Sequence, residues 1–165
     1  MTVLVAGVGN TLRGDDGFGV AVAARLIEQG GVPSGVRVLD IGIGGIHLVQ
    51  ELTAGAGGLV VIDAVDRGRA PGTVLVLRPH VRDVTVLPLA QRRDELADMH
   101  YATPERAFML ASALGVLPPE TWIVGCQPAD ADRLGEGLSA PVAAAVDVAA
   151  TEVRRLVSTL GVAWA

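Results

Sequence analysis

Cysteine is almost missing from this chain: Cys126 is the only one in 165 residues. That excludes an internal disulfide and a cysteine-built zinc site. Aromatic residues make up only 3%. A chain that is half hydrophobic must therefore build its core from Val, Leu, Ile and Ala. Lysine is absent, and all 13 basic residues are arginine; nothing functional follows from that choice. Positive charge is also short, the net charge being −5. Met1 to Asp66 carries seven acids against three bases, and the remainder eleven against ten. Neither half has the electrostatic footprint of a nucleic-acid binder. No apolar run reaches the roughly 20 residues of a membrane span. No basic segment precedes the first apolar run, so a signal peptide is not expected. These absences lead to the expectation of a cytoplasmic protein that engages neither nucleic acid nor membrane; separately, a monomer is expected. Its length suits one domain, residues 1–165.

Glycine, by contrast, is abundant, with 21 copies placed between periodic segments. Five of them fall in Gly7-Val8-Gly9-Asn10-Thr11-Leu12-Arg13-Gly14-Asp15-Asp16-Gly17-Phe18-Gly19. The apolar run Thr2–Ala6 before this stretch reads as a buried strand. Val20, Ala23, Ala24 and Ile27 after it have the spacing of a helix with one apolar face, predicted over about Asp16 to Gln29. The stretch is therefore a strand-to-helix loop.

Further along, Val36–Ile41 reads as a strand, and Gly42 to Gly45 as a glycine-rich turn. A short helix reaches about Thr53. Leu59–Ile62 is a continuous apolar run, the mark of a central strand, and it ends on Asp63. Gly72 to Leu77 reads as another strand. Pro79 to Met99 shows little periodicity and is expected to be a long exposed loop with at most one helical turn. Thr103-Pro104-Glu105 has the cap, the proline and the acid of a helix start. The apolar stripe that follows is Ala107, Leu110, Ala111 and Leu114. Trp122–Cys126 reads as the last strand. The final helix begins at Ser139-Ala140-Pro141, with Val142, Val146, Ala149, Val153 and Leu156 on one face. Strands alternating with helices predict a three-layer α/β/α domain with a largely parallel sheet. Ligands of such sheets sit beyond the carboxyl ends of the strands. There the Asp15-Asp16 loop, Gly42–Gly45, Asp63 and the segment Gln127, Pro128, Asp130 should gather.

Phosphate is a poor fit for that edge. A dinucleotide fingerprint needs glycine where Leu12 stands. Asp15 and Asp16 also occupy the helix start that a phosphate would use. Two unit charges at roughly 4 Å repel by about 4 kcal/mol at an effective dielectric near 20. A cation fits better, with Asp16 and Asp63 on neighbouring loops and an imidazole as third ligand. His47 lies in the short predicted helix and His80 at a strand end. His100 ends the long segment and is favoured by position. The plainer alternatives are that Asp15 or Asp16 caps a helix, that Asp63 forms a turn, that each histidine is an ordinary surface residue, and that Cys126 is a small buried hydrophobe.

The segment Gly7-Val8-Gly9-Asn10-x-Leu12-x-x-Asp15-Asp16-Gly17-x-Gly19 resembles the N-terminal signature of the NiFe-hydrogenase maturation endopeptidases. The similarity continues through Val61-Ile62-Asp63-Ala64-Val65-Asp66, Ala70-Pro71-Gly72-Thr73, His100 before an apolar helix, and Val124-Gly125-Cys126-Gln127-Pro128. It covers most of the chain in order. The resemblance implies a twisted five-stranded mixed sheet between helices, one strand being antiparallel. It also implies one reaction: removal of a C-terminal extension from the hydrogenase large-subunit precursor after nickel insertion. Family metal positions map onto Asp16, Asp63 and His100, which would bind nickel, or another divalent cation in its place, carried by the precursor. The same three residues would serve catalysis. A non-proteolytic nickel-site chaperone or scaffold is the alternative. One departure stands out: the family turn Asp-Gly-Gly-Thr-x-Gly is Asp40-Ile41-Gly42-Ile43-Gly44-Gly45 here.

Overall fold

The computed structural model describes residues 1–97 and 103–165. Five strands, β1 (Val3–Val8), β2 (Val36–Gly42), β3 (Gly58–Ala64), β4 (Val74–Leu77) and β5 (Glu120–Cys126), form one sheet in the order β2-β1-β3-β5-β4. The first four in that order run parallel, and β4 pairs antiparallel with β5. The expected mixed five-stranded sheet is present.

Side chains alternate across the sheet, so each strand feeds two cores. Val3 and Val5 of β1, with Val60 and Ile62 of β3, pack under helices α1 (Phe18–Gln29) and α5 (Ala140–Thr159). Leu4, Ala6, Leu59 and Val61 pack on the other face, under α2 (Gly45–Thr53) and α4 (Pro104–Ala113). Asp63 continues the parity of Leu59 and Val61 and so belongs to the α2/α4 side. The predicted apolar face of α5 is buried throughout, from Val142 to Leu156.

Several expectations are corrected. First, helix α1 does not start at Asp16: residues Gly14–Gly17 form a 3-10 turn and the α-helix begins at Phe18. Second, its buried face is Phe18, Val22, Ala23 and Leu26, whereas Ala24 and Ile27 are exposed and Val20 is only partly covered. Gly19 sets this rotation. A Cβ on it would lie 2.0 Å from the Ile62 carbonyl oxygen and 2.4 Å from that of Val8. The helix therefore rests backbone to backbone on β1 and β3 at that point, and Phe18 and Val22 turn inward beside it.

Third, the segment after β4 is not a long loop. A 3-10 turn at Val84–Val86 buries Val84, and Leu89–Ala97 forms helix α3. Arg92 of α3 donates to the carbonyls of Thr85 and Leu87 at 2.6 and 3.2 Å. Arg82 pairs with Glu95 at 2.9 Å. Polar bonds hold this helix, which is why no apolar periodicity announced it. In α4, Ala107, Phe108 and Ala111 are buried, but Leu114 of the predicted stripe is exposed. No described helix is long and apolar enough to cross a membrane.

Candidate active site

The carboxyl ends of β1, β2, β3 and β5 meet as the alternating pattern required. The Gly9 amide donates to the Gly42 carbonyl at 2.9 Å, tying the first loop to the turn after β2. Gly9 adopts a φ of +131°, and a Cβ there would lie 1.9 Å from the Asp16 carbonyl oxygen and 3.7 Å from Asp63 Oδ1. Only a residue without a side chain fits this position. That vacancy lets the Asp16 turn and the Asp63 side chain close on the same point.

The adjacent aspartates have different environments. Asp16 is partly buried, and its Oδ2 accepts the Asn10 amide at 2.8 Å. Asp15 is 1% exposed and points away into the protein. Its Oδ2 accepts the amides of Ala129 and Asp130 at 2.8 and 3.1 Å and the Ser139 hydroxyl at 2.8 Å, while Oδ1 accepts the Ser139 amide at 2.7 Å. Burial opposes ionisation of Asp15, yet the bonds from Ser139, Asp130 and Ala129 outweigh it and hold its carboxyl below the ordinary value. Asp15 is thus the brace between the first loop and the segment after β5. Ser139 spends its hydroxyl on this brace and not on capping α5.

Asp63 shows the opposite balance. Burial, then the negative charge of Asp16, and to a smaller extent that of Glu105, raise its carboxyl well above the usual range; the Ala64 amide opposes them. The charges acting on it from Asp16 and Glu105 are both negative. Glu105 stands in the first turn of α4. Sequence reading took it only as a helix-start acid and missed its part in this electrostatic cluster. Its place in that first turn was visible; the 42 residues separating it from Asp63 hid the rest.

Gln127 is buried and clamps the turn after β3. Its Oε1 accepts the Arg67 and Arg69 amides at 2.7 and 3.2 Å, and its Nε2 donates to Asp66 at 3.1 Å. Cys126 is wholly buried, and its thiol is pushed up to about 11 by burial and by the charge of Asp15. It is the small hydrophobe expected, not a nucleophile. His47 is exposed and meets Glu51 at 3.2 Å, and His80 is exposed. His100 lies outside the described residues. Among the described residues no group of three or more His, Cys, Asp and Glu forms a metal cluster.

The phosphate alternative weakens further. The amide of Asn10 is taken by Asp16, that of Gly14 by Gly135 and that of Asp15 by Asp130. A loop with those donors engaged has little left to offer an anion.

Residues 20–156 match the family model described as hydrogenase maturation protease. The chain is 34% identical over 160 residues to a hydrogenase expression/formation protein, HupD, of Rhodobacter capsulatus, covering 97% of this chain and 73% of that protein. It is 39% identical over 147 residues to HupM of Azotobacter chroococcum mcd 1, with 89% and 67% covered. Among solved structures, the hydrogenase maturating endopeptidase HybD from E. coli superposes with a TM-score of 0.75 at 27% identity, over 99% of this chain and 96% of that one. The chain belongs to the hydrogenase maturation protease family.

Proposed function

We propose that this protein removes the C-terminal extension of a NiFe-hydrogenase large-subunit precursor after nickel insertion, engaging the nickel through Asp16, Asp63 and His100. One observation carries the reading. The Asp16 turn and the Asp63 carboxylate close on Gly9, and the side-chain charges of Asp16 and Glu105 that act on Asp63 are negative. Maintaining like charges together is costly. A divalent cation brought by the substrate offsets that repulsion and favours the ionised form of Asp63, so engagement strengthens as pH rises. Three Cα-to-Cα steps of chain link His100 to Thr103, a reach of at most about 11 Å. The first turn of α4 that follows carries the Glu105 charge felt at Asp63. The His100 imidazole is the third ligand of this proposal, giving a nitrogen and oxygen donor set suited to a borderline cation, with positions left for the substrate's own ligands.

Cation engagement holds the scissile peptide against the carboxyl edge of the sheet, where water is the attacking group. The maturation of the partner is thereby sensed by charge: a precursor without its dication meets two uncompensated carboxylates.

The experiment is cleavage of nickel-loaded precursor, read as the mass of the large subunit, by Asp16→Asn, Asp63→Asn and His100→Ala. Each is expected to lower the cleavage rate at least 100-fold. Full activity in all three variants would refute the proposal. Binding of the loaded precursor by the wild-type protein without any change of mass would favour the chaperone or scaffold role.

A further inference from the structure

Helix α1 is apolar on two sides. The inner side packs on the sheet, while Val20, Ala24 and Ile27, spaced i, i+4 and i+7, form a second stripe facing outward. Ile27 is 54% exposed. The stripe does not stop at the helix. Val20 and Ala24 form one wall of a surface cleft of about 370 Å³ whose other wall includes Leu138. Val20 also borders a second cleft, of about 250 Å³, together with Leu12 and Gly9. Gly9 is the residue on which Asp16 and Asp63 converge. Leu134, 86% exposed, is held beside Leu12 because the Gly135 amide donates to the Leu12 carbonyl at 2.9 Å.

Such an exposed leucine would ordinarily ride on a loose loop. Here the backbone around it is fixed. The Gly14 amide donates to the Gly135 carbonyl, the Asp15 amide to the Asp130 carbonyl, and the buried Asp15 carboxylate accepts from Ala129 and Asp130. Arg133 donates to the Gly137 carbonyl at 2.8 Å. Aliphatic side chains presented on a fixed backbone lose little freedom when a partner covers them. Exposed ion pairs rim the track, Arg13 with Asp132 on one side and Arg25 with Asp147 on the other. An apolar patch inside a polar rim is the usual anatomy of a protein interface.

We infer that this track, running from Leu12 and Leu134 along Val20, Ala24 and Ile27, docks the folded body of the protein whose C-terminal segment is cut. This rests on the endopeptidase reading. The occupant is an apolar protein surface, because the track is continuous with the cleft over Gly9. A folded substrate threading its tail across Gly9 must lay its neighbouring surface against Leu12 and Leu134. A cation or a short peptide in that cleft would reach no further along α1 than Val20.

The test compares Leu134→Glu and Ala24→Arg with Leu114→Glu, another exposed leucine beyond the far end of α4. Binding of nickel-loaded precursor is measured by interferometry, and KM and kcat by the mass shift. The two track variants are expected to raise Kd and KM at least tenfold while kcat stays within twofold of wild type; Leu114→Glu should match wild type in all three. Unchanged Kd and KM in both track variants would overturn the inference, as would a fall in kcat alone or equal weakening by Leu114→Glu. A wild-type dimer in sedimentation that both track variants dissociate would assign the surface to a second copy and overturn it too. Should wild type bind but not cleave, the endopeptidase reading fails while the Kd series still decides the docking surface. All substituted positions are exposed, so unchanged melting temperatures are expected. Leu134→Ser and Ala24→Gln replace any variant whose melting temperature drops.

Discussion

Replacing Asp15 with Asn tests the brace at the head of the molecule. The change keeps shape and removes charge. If the new amide oxygen takes the place of Oδ2, it still accepts from Ala129, Asp130 and Ser139 Oγ, but as a neutral group. The new NH2 then faces the Ser139 amide, which now donates at 2.7 Å to Oδ1. Two donors confront each other in a buried place. Bonds to a charged acceptor contribute about 1.5–3 kcal/mol, neutral ones nearer 1, and a buried donor left unmet costs about 1–3 kcal/mol. Relief of carboxylate burial recovers part of this, leaving an expected loss of about 2–4 kcal/mol. For a chain of this size that lowers Tm by roughly 5–15 °C. The pH dependence adds a signature. The folded-state carboxyl of Asp15 lies below the ordinary 3.8, so its stabilisation is fully present above that value and lost as pH falls through the folded value. Asn does not titrate. Urea unfolding from pH 8 to pH 3 should therefore show a constant gap between wild type and Asp15→Asn down to about pH 4, closing only below it. A gap under about 0.5 kcal/mol at pH 7, or one that already closes near pH 6, would refute the reasoning.

Asp63→Asn should act in the other direction on stability. Its carboxyl is raised in the folded state, so folding is favoured most below the unfolded value of 3.8 and loses ground as pH rises through the folded value. The variant should therefore unfold at higher urea than wild type at pH 8, the two converging near pH 4, even as cleavage is lost. Gly19→Ala puts a methyl group 2.0 Å from a backbone carbonyl that cannot move aside. It should cost about 3 kcal/mol or more, seen as a large fall in Tm or as insoluble protein. Cys126 should resist alkylation in the native protein at pH 8 and react at the rate of unfolding, because burial and Asp15 raise its thiol to about 11; rapid native labelling would contradict that placement.

Local patterns made the sheet legible. Leu59–Ile62 is apolar without interruption because β3 is covered on both faces, and the strand-end rule then located Asp16 and Asp63 together. Helix α1 was legible as a helix but not in its rotation. With Val20, Ala24 and Ile27 as apolar as Val22 and Leu26, periodicity could not choose a face, and the choice was made by the contact of Gly19 with Ile62, far away in sequence. Helix α3 was illegible for the opposite reason: its residues carry almost no apolar pattern, and arginine bonds to carbonyls hold it. Read locally, Asp15 is a candidate helix cap; its partner Ser139 lies 124 positions away, and nothing local points to it.

The contacts at Gly9 and Gly19 also have a mechanical meaning. Where backbone meets backbone with no side chain between, there is no compliant layer to absorb a push. A load applied to the outer surface of α1 reaches the Ile62 carbonyl, one residue before Asp63, as a movement of the whole platform and not as a bend within it. The backbone segments that carry Asp16 and Asp63 therefore travel together as one stiff piece. Pressure from a large partner can change how often they are met, but it has no lever with which to change their spacing.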